Sequence, residues 1–299
     1  MLDFRMDTFL AVCRRMNFTR AAEDLHITQP AVSQHIHWLE QEYGAKLFLY
    51  GSRKLQLTEA GRLLLAAATT IRHDNIHLRK QIGRLGEGGG TLNFGATLTI
   101  GSYILPPRLA RYLQRHPGET VRMTVANTRE LLKKLDSGEI DFAVVEGFFE
   151  KSEYDSLPFS RERFVAVCGA DDPLAERSSI EPRPIEDLLG ERLILREPGS
   201  GTREVFEKFL ETCNLSLRDF SDVIEIGGIE GIRTMARMGC GVTFLYEAAV
   251  RQELAAGSLR EVALDGFPLL HDFTFLWRRG SIFDGYYREL FEQLREDAE

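Results

Sequence analysis

Two short helical patterns separated by only His26 and Ile27 constrain the start of this 299-residue chain more than any other feature. The first opens at Thr19 as an N-cap and carries Ala21, Ala22 and Leu25 on one face. The second opens near Thr28, has Pro30 in its first turn, and spaces Val32, Ile36 and Leu39 for burial. Two connecting residues are too few for a side-by-side hairpin, so the helices must cross at an angle as a helix-turn-helix. A further helix over 3–16, with Phe4, Phe9, Val12 and Met16 among its apolar positions, precedes them. After Gly44, "KLFLYGSRKLQLT" gives two apolar segments around Gly51-Ser52, a hairpin with Arg53 and Lys54 at or just beyond its tip. A helix-turn-helix with a basic wing can enter a DNA major groove while touching the flanking phosphates.

From Thr58 the pattern is one long helix to about residue 84. Leu57, Leu64, Ile71, Leu78 and Leu85 recur every seven residues, with Gly61, Ala68, Asn75 and Ile82 four residues after the first four. This is a heptad seam for self-association, in which Asn75 costs stability and sets register; the alternative is an amphipathic helix packed on its own core. "GEGGG" then breaks the helix as a linker. Beyond it strands and helices alternate, from "TLNFGATL", "VRMTVAN", "DFAVVEG" and "RFVAVCG" to "RLILREPG", "DVIEIGG", "VTFLY", "LREVAL" and "FTFLWRR". Helical patterns lie at 103–115, 128–135, from Thr202, at 229–238 and at 283–294, and the alternation signals an α/β region with mainly parallel sheets.

The net charge of -8 is unevenly spread. Residues 1–60 carry seven basic and seven acidic side chains, so the acidity belongs to the C-terminal two thirds, and a head of this kind is compatible with nucleic acid. The four cysteines show no CxxC spacing and read as reduced thiols, without a metal or disulfide framework. The N-terminus lacks signal-peptide features and no run approaches 18 apolar residues, so a cytoplasmic protein with no membrane segment is expected. No P-loop, G-x-S-x-G elbow or HExxH motif is present, and the glycine run follows a helix rather than a strand. An enzyme is therefore not expected, and no cofactor is implied.

The head resembles the LysR-type transcriptional regulators through Phe18, Thr19, Arg20, Ala21, Ala22 and Leu25, then Gln29, Pro30, Ala31 and Ser33, then Leu39, Glu40, Gly44, Leu47, Phe48, Leu57, Thr58 and Gly61. "GATLTIGSYILP", "VANTRELLKKLDSGEIDFAVVEG", "LREPGSGTR" and "MARMGCGVTFL" extend the resemblance into the effector region. Where the family usually has an arginine two residues after Leu-Phe, this chain has Tyr50, and Arg53 and Lys54 are the candidates to replace that phosphate contact. His35 and His37 stand where basic residues are common.

The resemblance implies three parts: a winged helix-turn-helix over 1–58, a dimerisation helix and hinge over 59–90, and an effector domain over 91–299. The last would be of the periplasmic-binding-protein type, with subdomain I at 91–162 and 267–299 and subdomain II at 163–266, the chain crossing near 159–164 and 263–267. The candidate DNA-binding residues are Arg20, Thr28, Gln29, Pro30, Ala31, Ser33, Gln34, His37, Arg53 and Lys54. Gln29, Ser33, Gln34 and His37 share one side of their helix; Gln can pair with adenine and Ala31 or Pro30 can pack on a thymine methyl. One head offers few base contacts, so a homodimer reading an interrupted inverted repeat in double-stranded promoter DNA is expected. A tetramer and contact with RNA polymerase are implied by the resemblance.

Ligands of open α/β sheets sit beyond the carboxyl ends of strands. The turns there supply Thr97, Thr99, Asn127, Thr128, Ser200, Gly201 and Thr202 as candidate contacts for a small effector, an organic or inorganic anion; helix capping is the competing reading for each. Arg196 or Arg203 could neutralise the anion or form surface ion pairs, and Glu146 could meet a ligand amine or simply end its strand. A ligand-blind architectural DNA binder and a solute-binding protein are the rival readings.

Overall fold

The computed structural model describes residues 3–50, 54–83, 90–177 and 182–295. Helices α1 (Phe4–Arg15), α2 (Phe18–Leu25) and α3 (Gln29–Glu42) precede the hairpin of β1 (Phe48–Tyr50) and β2 (Leu55–Leu57), in which Phe48 pairs with Leu57. Phe9, Val12, Ala21, Val32, Ile36, Leu39 and Leu47 close over one small core, and Phe48 packs between Phe9 and Phe18. Helix α3 begins where expected: Thr28 accepts the Ala31 N–H and Pro30 lies in the first turn. Helix α2 begins two residues earlier than expected, because Asn17 rather than Thr19 is the cap; its side chain accepts the Arg20 N–H at 3.0 Å.

Helix α4 (Glu59–Ile82) is anchored to the head by Thr58, whose hydroxyl accepts the Gly61 N–H at 2.8 Å and donates to the Lys46 carbonyl at 2.6 Å. Glycine is needed three residues on because a Cβ at Gly61 would stand 2.2 Å from the Leu47 carbonyl oxygen. The heptad line divides. Leu64 and Ala68 pack on the head core, whereas Ile71, Leu78 and Ile82 are exposed; Leu85 lies outside the described residues. A second, polar face that the apolar spacing does not reveal is buried against the C-terminal region. Thr70 donates to the Arg279 carbonyl at 3.0 Å, His73 Nε2 meets the Ile140 carbonyl at 3.2 Å, and Asp74 accepts the Ser281 hydroxyl at 2.6 Å and the Ile282 N–H at 2.9 Å.

The C-terminal region is built on one sheet. Strands β3 (Thr91–Ala96), β4 (Thr120–Val125) and β5 (Phe142–Val145) run parallel to one another, and α5 (Leu105–Arg115) and α6 (Thr128–Ser137) link them. Strand β6 (Tyr154–Gly169) is followed by α7 (Pro173–Arg177), β7 (Arg192–Leu195), α8 (Gly201–Thr212), β8 (Asp222–Glu225), α9 (Ile229–Arg237), β9 (Val242–Tyr246), α10 (Glu247–Ala256) and β10 (Leu259–Glu261). Strand β11 (Leu269–Arg278) and α11 (Asp284–Arg295) complete the chain. The order β4-β3-β5-β11-β6-β9-β7-β8 places two parallel groups on either side of the antiparallel pair β6 and β11. The sheet is thus mixed rather than mainly parallel. "RFVAVCG" is only the second half of β6; the first half, with Asp155, Ser156, Pro158, Arg161 and Glu162, is too polar to read as a strand. Burial pushes the Cys13 and Cys168 thiols up to about 12, so both stay protonated at neutral pH.

Burial alone would raise the Asp74 carboxyl, but hydrogen bonds from His73, Ser281 and the Ile282 N–H hold it below the usual range. Asp74→Ala is predicted to lower stability at pH 7 by about 1–3 kcal/mol, the usual cost of orphaning buried partners. Because the folded-state pKa is depressed, this contribution is present above the unfolded value near ~3.9 and is lost as pH falls through the folded value. Urea unfolding of both proteins at pH 7, 5 and 3.5 tests this; a difference that grows on acidification contradicts it.

Candidate DNA-reading surface and effector cleft

The outer side of α3 and its approach carry Thr28, Gln29, Pro30, Gln34 and His37 exposed, with Ala31 and Ser33 half-buried, opposite the core-facing Val32, Ile36 and Leu39. Two of these polar groups are pre-ordered: Gln29 Nε2 donates to Ser33 Oγ at 2.9 Å, and Gln41 Nε2 meets His37 Nε2 at 3.0 Å. His35 is turned back instead, its Nδ1 2.9 Å from Thr8 Oγ1 and its ring edge-on to Phe4. Arg20 and Lys54 are exposed and make no ion pair among the described residues, whereas Arg15 is held by Asp24 and Lys46 by Glu40. Arg53 lies outside the described residues.

Four strands of the C-terminal sheet deliver polar residues from their carboxyl ends to one place. Thr97 and Thr99 follow β3, Glu146 follows β5, Arg196 follows β7, and Tyr246 ends β9. Two helices open beside them, α6 at Thr128 and α8 at Gly201, presenting the positive ends of their dipoles. The two sides touch. Thr202 Oγ1 of α8 donates to Glu146 Oε1 at 2.9 Å, Thr128 Oγ1 donates to the Glu146 carbonyl at 2.5 Å, and a Cβ on Gly147 would stand 2.8 Å from the Gly201 Cα.

The structure separates capping from free hydroxyls. Asn127 caps α6, its Oδ1 accepting the Glu130 N–H at 3.0 Å. Ser200 precedes α8 without making a side-chain cap, and its hydroxyl, like that of Thr97, is buried without a partner among the described residues. Thr97, Thr99, Thr128, Ser200 and Thr202 are all at most 3% exposed. Arg203 is engaged by Glu207, Glu225 and the Arg196 carbonyl. Arg196 is buried and grips Glu197 with Nε and one terminal nitrogen at 2.8 and 2.9 Å, leaving its other terminal nitrogen without a partner. Glu146 is the residue that local reading undervalues: burial pushes its carboxyl up, against hydrogen bonds from Thr202 and Thr99 and the charge of Arg196. Among the described residues no group of three or more His, Cys, Asp or Glu could hold a metal ion, and no helix is long and apolar enough to cross a membrane.

A helix-turn-helix head joined by a long helix to an α/β region with a polar strand-end site defines a DNA-binding regulator with a ligand domain. The chain belongs to the LysR family of bacterial transcriptional regulators: the family's helix-turn-helix profile matches residues 5–62 and its substrate-binding-domain profile matches 85–299. The RuBisCO operon transcriptional regulator of Acidithiobacillus ferrooxidans is 34% identical over 266 residues, 89% of this chain and 84% of that protein. Full-length LysG of Corynebacterium glutamicum, solved with bound effector Arg, superposes with a TM-score of 0.62 at 21% identity, covering 99% of both chains. The CcmR regulatory domain of Synechocystis, solved in complex with 2-PG, superposes with a TM-score of 0.61 at 25% identity over 69% of this chain and 96% of that one.

Gly201→Ala is predicted to push α8 away from β5, since its Cβ would meet the Glu146 carbonyl oxygen at 2.5 Å. The expected cost is about 1–3 kcal/mol, with no change in the stability of the head. Thermal unfolding followed separately by near-UV signal and by DNA binding checks this; an unaltered melting temperature contradicts the contact.

Proposed function

We propose that the strand-end cluster is the effector site and that the effector is a small anion. The single observation that carries this is the set of buried hydroxyls and one buried guanidinium nitrogen, Thr97, Ser200 and Arg196, that find no partner among the described residues yet lie beside two helix N-termini. Buried polar groups are ordinarily satisfied, and an anion satisfies this set at once. The similar CcmR regulatory domain was solved in complex with 2-PG, which is therefore the first compound to try. The division into 1–58, 59–90 and 91–299, with subdomains on either side of the β6–β11 pair, is part of the same reading.

The head reads DNA through Gln29, Ser33, Gln34 and His37, with Arg20, Arg53 and Lys54 on phosphates. Two heads are joined through α4, where Leu63 and Ile71 are more than half exposed and a second copy would cover them. Such a dimer suits an interrupted inverted repeat. Ligand binding changes DNA affinity only if the two arrangements of the effector region bind it unequally.

Ser33→Ala is predicted to weaken operator binding by roughly 5-fold or more while leaving nonspecific binding nearly unchanged, whereas Lys54→Ala weakens both and reduces the salt slope by about one. Titrations against operator and random duplexes at several salt concentrations distinguish them. A ligand at 100 times its dissociation constant stabilises the folded protein by about 2.7 kcal/mol, and Thr202→Val should abolish that shift. An undiminished shift in Thr202→Val removes the cluster from consideration as the effector site.

A further inference from the structure

Resting on that reading of the site, we infer that Glu146 makes the cleft selective for an oxyanion carrying its own O–H, an inorganic hydrogenphosphate or a hydroxylated acid, over a fully ionised anion of the same size. Glu146 is 1% exposed, and of its two carboxyl oxygens Oε1 accepts the Thr202 hydroxyl while Oε2 has no hydrogen-bond partner among the described residues. An ionised carboxylate only accepts hydrogen bonds, so a ligand oxygen placed against Oε2 must bring a proton with it. Without one, two anionic oxygens face each other in a site shut off from water.

The neighbouring groups support an acceptor role. Burial pushes the Glu146 carboxyl up, and the groups facing it oppose that shift and favour the ionised, accepting form: the Thr202 hydroxyl and N–H, the Thr99 hydroxyl and Arg196. The remaining titratable neighbours do not change this. Tyr246, at the end of β9, stays protonated because burial pushes its phenol far up, and its oxygen lies 3.0 Å from His271 Nδ1 of β11. Burial holds His271 below its usual range, so it is neutral at pH 7. Glu204 of α8 is turned to the Phe148 N–H at 3.4 Å, and Glu197 is taken up by Arg196.

The ligand's donor is a hydroxyl rather than an ammonium. The positive ends of α6 and α8, together with Arg196, disfavour a cation and favour the anionic part of the same ligand. The geometry thus asks for acceptor oxygens toward Thr97, Ser200 and Arg196 and one O–H toward Glu146.

Inorganic phosphate and sulfate form a matched pair of probes, since phosphate keeps at least one proton at neutral pH and sulfate keeps none. Calorimetric titration of the full-length protein at pH 7.5 and constant ionic strength is expected to give phosphate at least ~10-fold tighter than sulfate. In Glu146→Gln, whose amide both donates and accepts, the two anions are expected within about threefold of each other. Equal binding of both anions to the wild-type protein, with sulfate strengthening as pH falls, means that Glu146 supplies the proton itself and overturns the inference while leaving the site intact. Phosphate binding that survives Thr202→Val unchanged, or no binding of either anion, removes the underlying site. The wild-type comparison needs no variant, so a Glu146→Gln protein that fails to fold does not protect the proposal.

Discussion

The antiparallel pairing of β6 with β11 is the constraint on which the C-terminal region depends. Ten residues of β11 lie opposite β6, from Leu269 against Phe164 to Arg278 against Tyr154, and each end of the pair recruits a different parallel group. Without that seam, β3, β4 and β5 on one side and β7, β8 and β9 on the other share no backbone hydrogen bonds. The carboxyl ends of both groups turn toward the same space because the seam fixes their relative direction, and Thr97, Glu146, Arg196 and Tyr246 meet there although they are far apart in sequence. The register shift between Phe273 and Thr274 falls just before the residues of β11 that also pair with β5.

What was legible in the sequence follows from how locally each feature is determined. The three head helices were readable because apolar spacing and a cap such as Thr28 act within a turn or two, although the same local signals point to Thr19 instead of Asn17 as the cap of the second. The first half of β6 was not, since its alternation of polar residues with Leu157 and Phe159 acquires meaning only once β11 lies alongside. The turns around Thr97, Thr128 and Ser200 could be placed at strand ends from their spacing. Whether each side chain caps a helix or stays free is a three-dimensional fact: Asn127 is consumed by Glu130, whereas Ser200 is not. Glu146 is the clearest case, because its burial comes from α8, whose first residues lie more than fifty positions away.

Helix α4 shows why a heptad count alone misjudges a linker. Its apolar positions divide between the head core and an exposed stripe, while a third face is held to the C-terminal region almost wholly by polar groups, Thr70, Arg72, His73 and Asp74. Each such bond has a net worth of only about 1 kcal/mol, since water can take its place, but each is directional. The angle at which the head stands on the body is therefore sharply defined while the joint is held together weakly.

The two facing glycines, Gly147 and Gly201, carry a consequence of a different kind. Neither presents a side chain, so the backbones of β5's exit and α8's entry approach as closely as two chains can, and the Glu146–Thr202 hydrogen bond spans the gap. On the proposed reading of the cluster as the effector site, a molecule seated there would have to part the two backbones. On that reading its girth, as well as its charge, would set how far α8 stands from the exit of β5, so that the width of a bound molecule is read out as a spacing between two backbones.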